Sequence, residues 1–344
     1  MSADGIAPNK AAPILVMGAG SIGCFLGGVL AAAGHPVHLV ARARVLQALR
    51  ERGLTIGDLE GRRQDLPPAR LRLHEAPPAG LRPALTLLCV KSGATAGAAL
   101  QLAAALPAGS VVVSMQNGVG NVERAREAAP GLQWRAGMVP FNVAELAPGH
   151  YHRGTAGGLA AETDPALEAL RPAFAAFGLS LRLKPDLRAI QWGKLLINLN
   201  NPVNALSGRP LRAQLLERGY RRCFAALQTE ALEVLRQAGI EVAPVTPVPP
   251  ERFAALLRLP TPLFRLLAAR MLKIDAKARS SMADDLALGR KTEIDALCGE
   301  VVRLARREGR QAPLNARMLA LVEGWTQRPL PYGPRELEEA LGLR

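Results

Sequence analysis

Aromatic residues are scarce. Phe, Trp and Tyr make up 4% of the 344 residues, while apolar residues as a whole make up 49%. A sizeable core can be built, but from Ala, Leu and Val. A surface that stacks nucleic-acid bases needs aromatics interleaved with cations, and this chain does not offer them. Cysteine is also sparse. Cys24, Cys89, Cys223 and Cys298 form no C-x-x-C and have no histidine cluster beside them, which excludes a disulfide framework and a zinc site. Buried, reduced thiols in a cytoplasmic protein and no bound metal are the expectation. Acidic residues are outnumbered: 29 Asp and Glu stand against 43 Lys and Arg, for a formal charge of +14. The arginines are dispersed, with no basic run or tail. The excess therefore reads as composition and attraction for anionic small ligands, not as a nucleic-acid surface.

Uninterrupted hydrophobic runs are missing too. Ala11 to Ala41 carries no formal charge, yet Pro13, Gly18, Gly20, Gly23, Gly27, Gly28, Gly34, His35, Pro36 and His38 punctuate it. A membrane span needs about 20 consecutive apolar residues, and a signal peptide needs a basic start and a small-residue cleavage site. Neither is present, so no membrane partner is expected.

What is there is a strand–helix alternation followed by a change of texture. Residues 1–12 read as a loose leader. Ile14–Met17, Val37–Val40, Ala84–Val90 and Val111–Gln116 read as buried strands, Ser21–Ala33 as a helix, and another helix begins near Asn121. Alternating strands and helices predict a doubly wound parallel sheet. Beyond about residue 184 strand signals vanish. Helical patterns follow over Ile190–Leu206, Arg212–Ala238, Pro262–Lys273, Met282–Glu308 and Asn315–Thr326, with a Pro-rich loop at Val242–Pro250. The expected fold is α/β: an N-terminal Rossmann-type domain over 1–184 and a C-terminal all-α domain over 185–344.

The first strand runs into Gly18-Ala19-Gly20-Ser21-Ile22-Gly23, a G-x-G-x-x-G turn. Gly18 permits the tight turn, Gly20 admits a pyrophosphate against the backbone, and Gly23 lets the helix pack on the sheet. The helix start offers N–H groups and a partial positive charge. Strand, helix and second strand at the right spacing make this far stronger than the motif alone. The second strand ends Val40-Ala41-Arg42-Ala43-Arg44, with no acid. A carboxylate there would repel a ribose 2′-phosphate, whereas a guanidinium pairs with it, so NADPH is expected over NADH with Arg42 as its contact.

Two polar groups follow later strands. Lys91 either neutralises a cofactor phosphate or lies near substrate. Asn117, in Gln116-Asn117-Gly118, either bonds the cofactor ribose or the substrate, or simply makes a turn. In the helical half, Lys194, Asn198 and Asn201 fall within about 40° of one another on a helical wheel, amid Leu and Ile, where polar groups need partners. Pro202 should kink or stop that helix. In Ser280-Ser281-Met282-Ala283-Asp284-Asp285, Ser281 is a candidate helix cap. Glu293 falls on the same expected long helix.

Taken together these stations resemble the ketopantoate reductase (2-dehydropantoate 2-reductase) family: Gly18–Gly23, Val90-Lys91, Gln116-Asn117-Gly118, Trp192-Gly193-Lys194 through Asn201, Ser280-Ser281-Met282, Gly289 through Asp295, Gly299 through Arg303, and Pro313-Leu314-Asn315. The resemblance implies reduction of a 2-oxo acid by NADPH, giving pantoate from 2-dehydropantoate. It implies Lys194 as the catalytic lysine, Asn117 touching cofactor and substrate, and Asn198, Asn201 and Ser281 on the substrate. It places Glu293 near the cofactor and active site, and Lys91 at the cofactor.

Three positions depart from the family pattern. Asn201 precedes Pro202 but stands seven residues after the lysine instead of eight. Asn204 replaces a common Thr, and Ala94 a common Gln. Lysine serves here as the general acid that protonates the alkoxide formed by hydride transfer. Desolvation would lower its pKa while Glu293 opposes that shift. The alternatives are a related reductase of another 2-oxo acid or ketone, and a non-catalytic NADPH-binding regulator. The expected partner is a small 2-oxo acid, with a homodimer as the candidate assembly.

Overall fold

The computed structural model describes residues 12–269, 271, 272, 275, 278–327 and 329–343. The leader expected at 1–12 lies outside these except for Ala12, and Lys273 lies outside them as well. The chain divides into two compact units, one ending at Leu187 and the other starting at Arg188.

The first unit holds strands β1 (Ile14–Met17), β2 (Val37–Val40), β3 (Leu54–Asp58), β4 (Arg63–Leu66), β5 (Arg72–His74), β6 (Leu85–Leu88), β7 (Val111–Ser114), β8 (Gln133–Met138), β9 (Val143–Ala147), β10 (His150–Arg153), β11 (Leu159–Glu162) and β12 (Leu181–Lys184). Its helices are α1 (Ser21–Ala32), α2 (Ala43–Arg52), α3 (Thr95–Ala105), α4 (Asn121–Ala128) and α5 (Pro165–Ala176). The main sheet has the order β12-β11-β8-β7-β6-β1-β2-β5. From β5 across to β8 every pairing is parallel, while β11 runs antiparallel to β8. Strands β1, β2 and β6 are buried along their whole length. That is why they read as continuous apolar runs without alternation. The chain leaves β1 toward β2 and β5, then returns to β6 on the other side of β1. The switch point of the sheet is therefore at the carboxyl ends of β1 and β6, where such sheets bind ligands.

A second sheet, β4-β3-β10-β9, was not anticipated. Arg63-Gln64-Asp65-Leu66 is exposed except at Leu66, so no apolar pattern announces it. Its buried charge is paired: buried Arg153 donates to Asp58 at 3.1 Å and to Glu60 at 2.7 Å. In this unit's core Phe25 meets Phe141 and Phe177 edge-on at 5.7 and 5.8 Å.

The second unit contains helices and no strand among its described residues: α6 (Arg188–Asn198), α7 (Asn200–Ser207), α8 (Leu211–Leu216), α9 (Arg218–Gln237), α10 (Pro250–Arg258), α11 (Thr261–Leu267), α12 (Ser281–Ala287), α13 (Glu300–Arg307), α14 (Pro313–Glu323) and α15 (Pro334–Ala340). The long α9 is its axis, packed by α6, α7, α8, α10, α13, α14 and α15. Fully buried Arg221 on α9 donates to the carbonyls of Leu215, Leu257 and Leu259, stapling the ends of α8 and α10. Glu230 accepts from the N–H groups of Leu314 and Asn315 at 2.8 Å each, capping α14. That bond accounts for the Pro313-Leu314-Asn315 station.

Three expected helices are broken. The first breaks at Leu199, three residues before Pro202, so Pro202 sits harmlessly in the first turn of α7. The second breaks at Glu217, between α8 and α9. The third, expected across 282–308, ends at Ala287. Gly289 adopts φ +61 and closes α12 through Gly289 N–H to Leu286 and Arg290 N–H to Asp285. A π-helical turn at Asp295–Gly299 then leads into α13. No described helix is long and apolar enough to cross a membrane.

Candidate active site

The glycine turn is assembled from both neighbours of β1. The N–H groups of Gly18 and Ala19 donate to Val40 O at the end of β2, at 3.1 and 2.8 Å. Gly18 has φ +95, and a Cβ there would come within 2.6 Å of Val90 after β6. A Cβ on Gly23 would come within 2.4 Å of Gly18 O. Both glycines are thus required by packing within the protein. Gly20 is different: it is exposed, and a Cβ there would meet nothing within 4 Å. It is the N-cap of α1 with no side-chain cap, and the first turn carries no acid. The orphan N–H groups of Ser21 and Ile22 and the positive end of the helix are left to a ligand. This open, uncapped turn fits the pyrophosphate of a dinucleotide.

At the end of β2, Arg42 is exposed and forms the N-cap of α2. Arg44 is engaged elsewhere, in a two-pronged pair with Glu145 at 3.2 and 2.9 Å. Of the two guanidinium groups in the stretch, Arg42 is the one that could contact a cofactor.

Lys91 is exposed and precedes a short 3-10 turn, Ser92–Ala94. A buried amide and hydroxyl network ties that turn to the end of β7. Gln116 Nε2 donates to Val90 O at 3.0 Å and to Thr95 Oγ1 at 2.8 Å. Ser92 Oγ and Asn121 Nδ2 both donate to Asn117 O, at 3.0 and 2.8 Å. The network brings Lys91 and Asn117 together at the carboxyl ends of β6 and β7. Ser92 and Thr95 escaped the sequence reading, and Gln116 and Asn121 were read only as a strand end and a helix start, because a single buried polar residue carries no periodic signal. The Asn-Gly pair is also a turn, since Gly118 has φ +86.

In the second unit, Lys194 and Asn198 lie one turn apart on α6. Asn201 falls beyond the break at Leu199, in the first turn of α7, so the single continuous face expected for all three is interrupted. Burial lowers the Lys194 ammonium from 10.5 to about 8, against the attraction of Glu293. Glu293 thus reaches Lys194 electrostatically, from a short link ahead of the π turn; its expected place within a long helix is corrected. Gly193 lets the 242–245 segment lie on α6 beside the lysine. A Cβ there would come within 2.2 Å of Ala243 O, and Ala243 N–H donates to Ala189 O at 3.0 Å.

Ser281 is not the helix cap. Ser280 is, accepting from Ala283 N–H at 3.2 Å, and this leaves the exposed Ser281 hydroxyl as the first side chain of α12. Ser280 also ties α12 to α7, donating from Oγ to Asn201 O at 3.2 Å. The structure therefore brings Lys194, Asn198 and Glu293 into one neighbourhood and joins Asn201 to the Ser281 turn.

No cluster of potential metal ligands occurs among the described residues. Cys24, Cys89, Cys223 and Cys298 are free thiols. Burial raises Cys24, Cys89 and Cys223 to about 12 and raises Cys298 as well, so none offers a thiolate near neutrality.

A doubly wound sheet with an uncapped glycine turn at its switch point, followed by an all-helical unit carrying a desolvated lysine, describes a pyridine-nucleotide-dependent oxidoreductase. Comparison with known proteins makes the class specific. Residues 14–163 match the model of ketopantoate reductase PanE/ApbA, and residues 186–326 match that of its C-terminal domain. The chain belongs to the ketopantoate reductase PanE/ApbA family.

It is 27% identical over 331 residues to a 2-dehydropantoate 2-reductase of Pyrococcus horikoshii, covering 90% of this chain and 96% of the relative. To the 2-dehydropantoate 2-reductase of Halobacterium salinarum it is 29% identical over 300 residues, covering 85% and 92%. Among solved structures, a PanE/ApbA family ketopantoate reductase from Ralstonia eutropha JMP134 superposes with a TM-score of 0.76 at 30% identity, covering 90% of this chain and 97% of that one.

Proposed function

We propose that this protein reduces the ketone of 2-dehydropantoate to pantoate with NADPH, using Lys194 as the general acid. The observation that carries the reading is the half-buried Lys194 ammonium with a pKa of about 8, set beside Glu293 and one turn from Asn198. An ordinary lysine is too weak an acid to give up its proton readily near neutrality. One lowered to about 8 is charged in most molecules at pH 7 and still transfers a proton well.

The cofactor, when bound, supplies the hydride. The Gly18–Gly23 turn (Gly18, Ala19, Gly20, Ser21, Ile22 and Gly23) would cradle its pyrophosphate, with the Ser21 and Ile22 N–H groups donating and Gly20 leaving room for the approach. Arg42 pairs with its 2′-phosphate, and Lys91 and Asn117 contribute charge and a hydrogen bond from the ends of β6 and β7. On the substrate, Lys194 Nζ polarises the ketone oxygen and delivers a proton to it as charge develops there. The amides of Asn198 and Asn201 and the Ser281 hydroxyl hold the substrate's carboxylate and hydroxyl. Glu293 keeps the lysine charged in the resting protein, and that is its catalytic contribution. Fixed placement of the ketone is the protein's main service beyond the proton. Reduced thiols and this cofactor suit the cytoplasm.

A second reading, reduction of another branched 2-oxo acid, is favoured by one feature. Asn201 and Pro202 come one residue early, and the break at Leu199 falls between the Asn198 and Asn201 amides. The experiment that tests both is NADPH consumption by the purified protein over a panel of 2-oxo acids. The highest kcat/KM on 2-dehydropantoate supports the first reading. A preference of tenfold or more for another member supports the second. NADPH binding with no turnover on any member defeats both.

A further inference from the structure

The Ser281 turn is built onto α7 by side chains that carry no polar group to a substrate themselves. Asn204 is fully buried, and its amide spans two segments: Nδ2 donates to Arg209 O at 2.9 Å, and Oδ1 accepts from Ser280 N–H at 2.9 Å. Ser280, itself buried, donates through Oγ to Asn201 O at 3.2 Å and accepts there from Ala283 N–H at 3.2 Å. Two residues before Ser280, Ala278 O accepts from Leu211 N–H at 2.8 Å.

Three bonds thus fasten 278–280 to the α7–α8 region, and two of them depend on the side chains of Asn204 and Ser280. The Asn204 amide has one donor and one acceptor in use, and the Ser280 hydroxyl gives its one proton and accepts one bond. Breaking any of these bonds would leave a buried polar atom without its partner. The serine pair divides its labour accordingly. Ser280 caps and clamps, so Ser281 neither caps nor clamps, and its hydroxyl stands exposed at the head of α12.

We infer that Asn204 and Ser280 are positioning residues for substrate: they act through Ser281 by fixing its turn against Asn201, and they set the affinity for the 2-oxo acid without touching it. The inference rests on the reading of Ser281 as a substrate contact.

The experiment is a steady-state and double-mutant series on the full-length protein, with the panel's best 2-oxo acid as substrate. Asn204→Ala and Ser280→Ala are each expected to raise KM for the oxo acid about tenfold, roughly the value of one well-placed hydrogen bond. KM for NADPH should hold, and kcat should change much less than KM. Ser280→Thr, which keeps the hydroxyl, is expected to restore KM. The decisive outcome is coupling: Asn204→Ala combined with Ser281→Ala should raise KM no further than Ser281→Ala alone. Equal, additive increases, or a loss confined to kcat or thermal stability, would overturn the clamp. If Ser281→Ala leaves KM unchanged, the substrate role of Ser281 fails instead, which is a separate result. Should Asn204→Ala fail to fold, the Ser280→Ala and Ser280→Thr pair, crossed with Ser281→Ala, carries the same test.

Discussion

Glu293 attracts the Lys194 ammonium, yet burial of the same amine wins, and the lysine titrates at about 8 instead of 10.5. In the reductive direction the group must be protonated to act. The kcat/KM for the oxo acid should therefore be level at pH values below 8 and fall about tenfold per pH unit above it. Glu293→Gln removes an attraction that holds the proton on, so the midpoint should move to lower pH. A midpoint that stays put or rises in Glu293→Gln argues that the carboxylate acts on another group.

Arg42 should decide the choice of cofactor. Losing a guanidinium–phosphate pair costs roughly 1.5–3 kcal/mol, or about 10- to 100-fold. Arg42→Ala is expected to raise KM for NADPH by that factor and leave KM for NADH nearly unchanged. Arg44→Ala should do far less, because Arg44 is already paired with Glu145. Equal effects of Arg42→Ala on both cofactors would remove the 2′-phosphate assignment.

The two glycines at the start of the turn should separate fold from binding. Gly20→Ala adds a methyl group into open space, so thermal stability should hold while dinucleotide affinity drops at least tenfold. Gly18→Ala forces a Cβ against Val90 at φ +95 and should lower Tm outright. Thermal melts with and without NADPH give both readings. Undiminished cofactor protection in Gly20→Ala would place the pyrophosphate elsewhere.

At the sheet edge, Arg72 Nη1 lies 3.2 Å from His38 Nε2, and His38 Nδ1 lies 2.9 Å from His74 Nε2. Arg72 can only donate. His38 Nε2 is therefore the acceptor, and the His38 proton sits on Nδ1, directed at His74. Burial, His74 and Arg72 lower His38 to about 4 from 6.5. Between pH 6.5 and 4 the unfolded chain then binds more protons than the folded one, so stability is lost as pH falls through that window and is unaffected above it. His38→Leu should flatten the dependence of Tm on pH between 5 and 6.5, where carboxylates contribute least. A slope equal to that of the unmodified protein would show that the pair does not govern acid stability.

Much of this was legible in the sequence because it follows from periodicity and backbone geometry. The run Ile14–Met17, the glycine turn and the helix at Ser21 are all where the residues place them. The reading failed where one residue outvotes a pattern. Gly289 ends α12 inside what reads as a single amphipathic helix from Met282 to Glu308, although a Gly after an apolar periodic run is itself a stop signal. Ser281 has Asp284 three residues on, in the manner of a capping box, yet Ser280 caps because Asn204 and Asn201 hold it from another helix. That is a tertiary fact with no local trace. The second sheet was missed because β4 and β10 carry Arg, Asp and His where a half-buried strand ordinarily alternates with apolar residues.

The central claim is that one desolvated lysine supplies the proton for reduction of a 2-oxo acid. Its most direct test is Lys194→Ala, assayed for NADPH consumption with 2-dehydropantoate and, separately, for NADPH binding by fluorescence. The account predicts a fall in kcat of about 10²–10⁴-fold, the usual contribution of a general acid, with the dissociation constant for NADPH unchanged. Turnover within a few fold of the unmodified protein would contradict it.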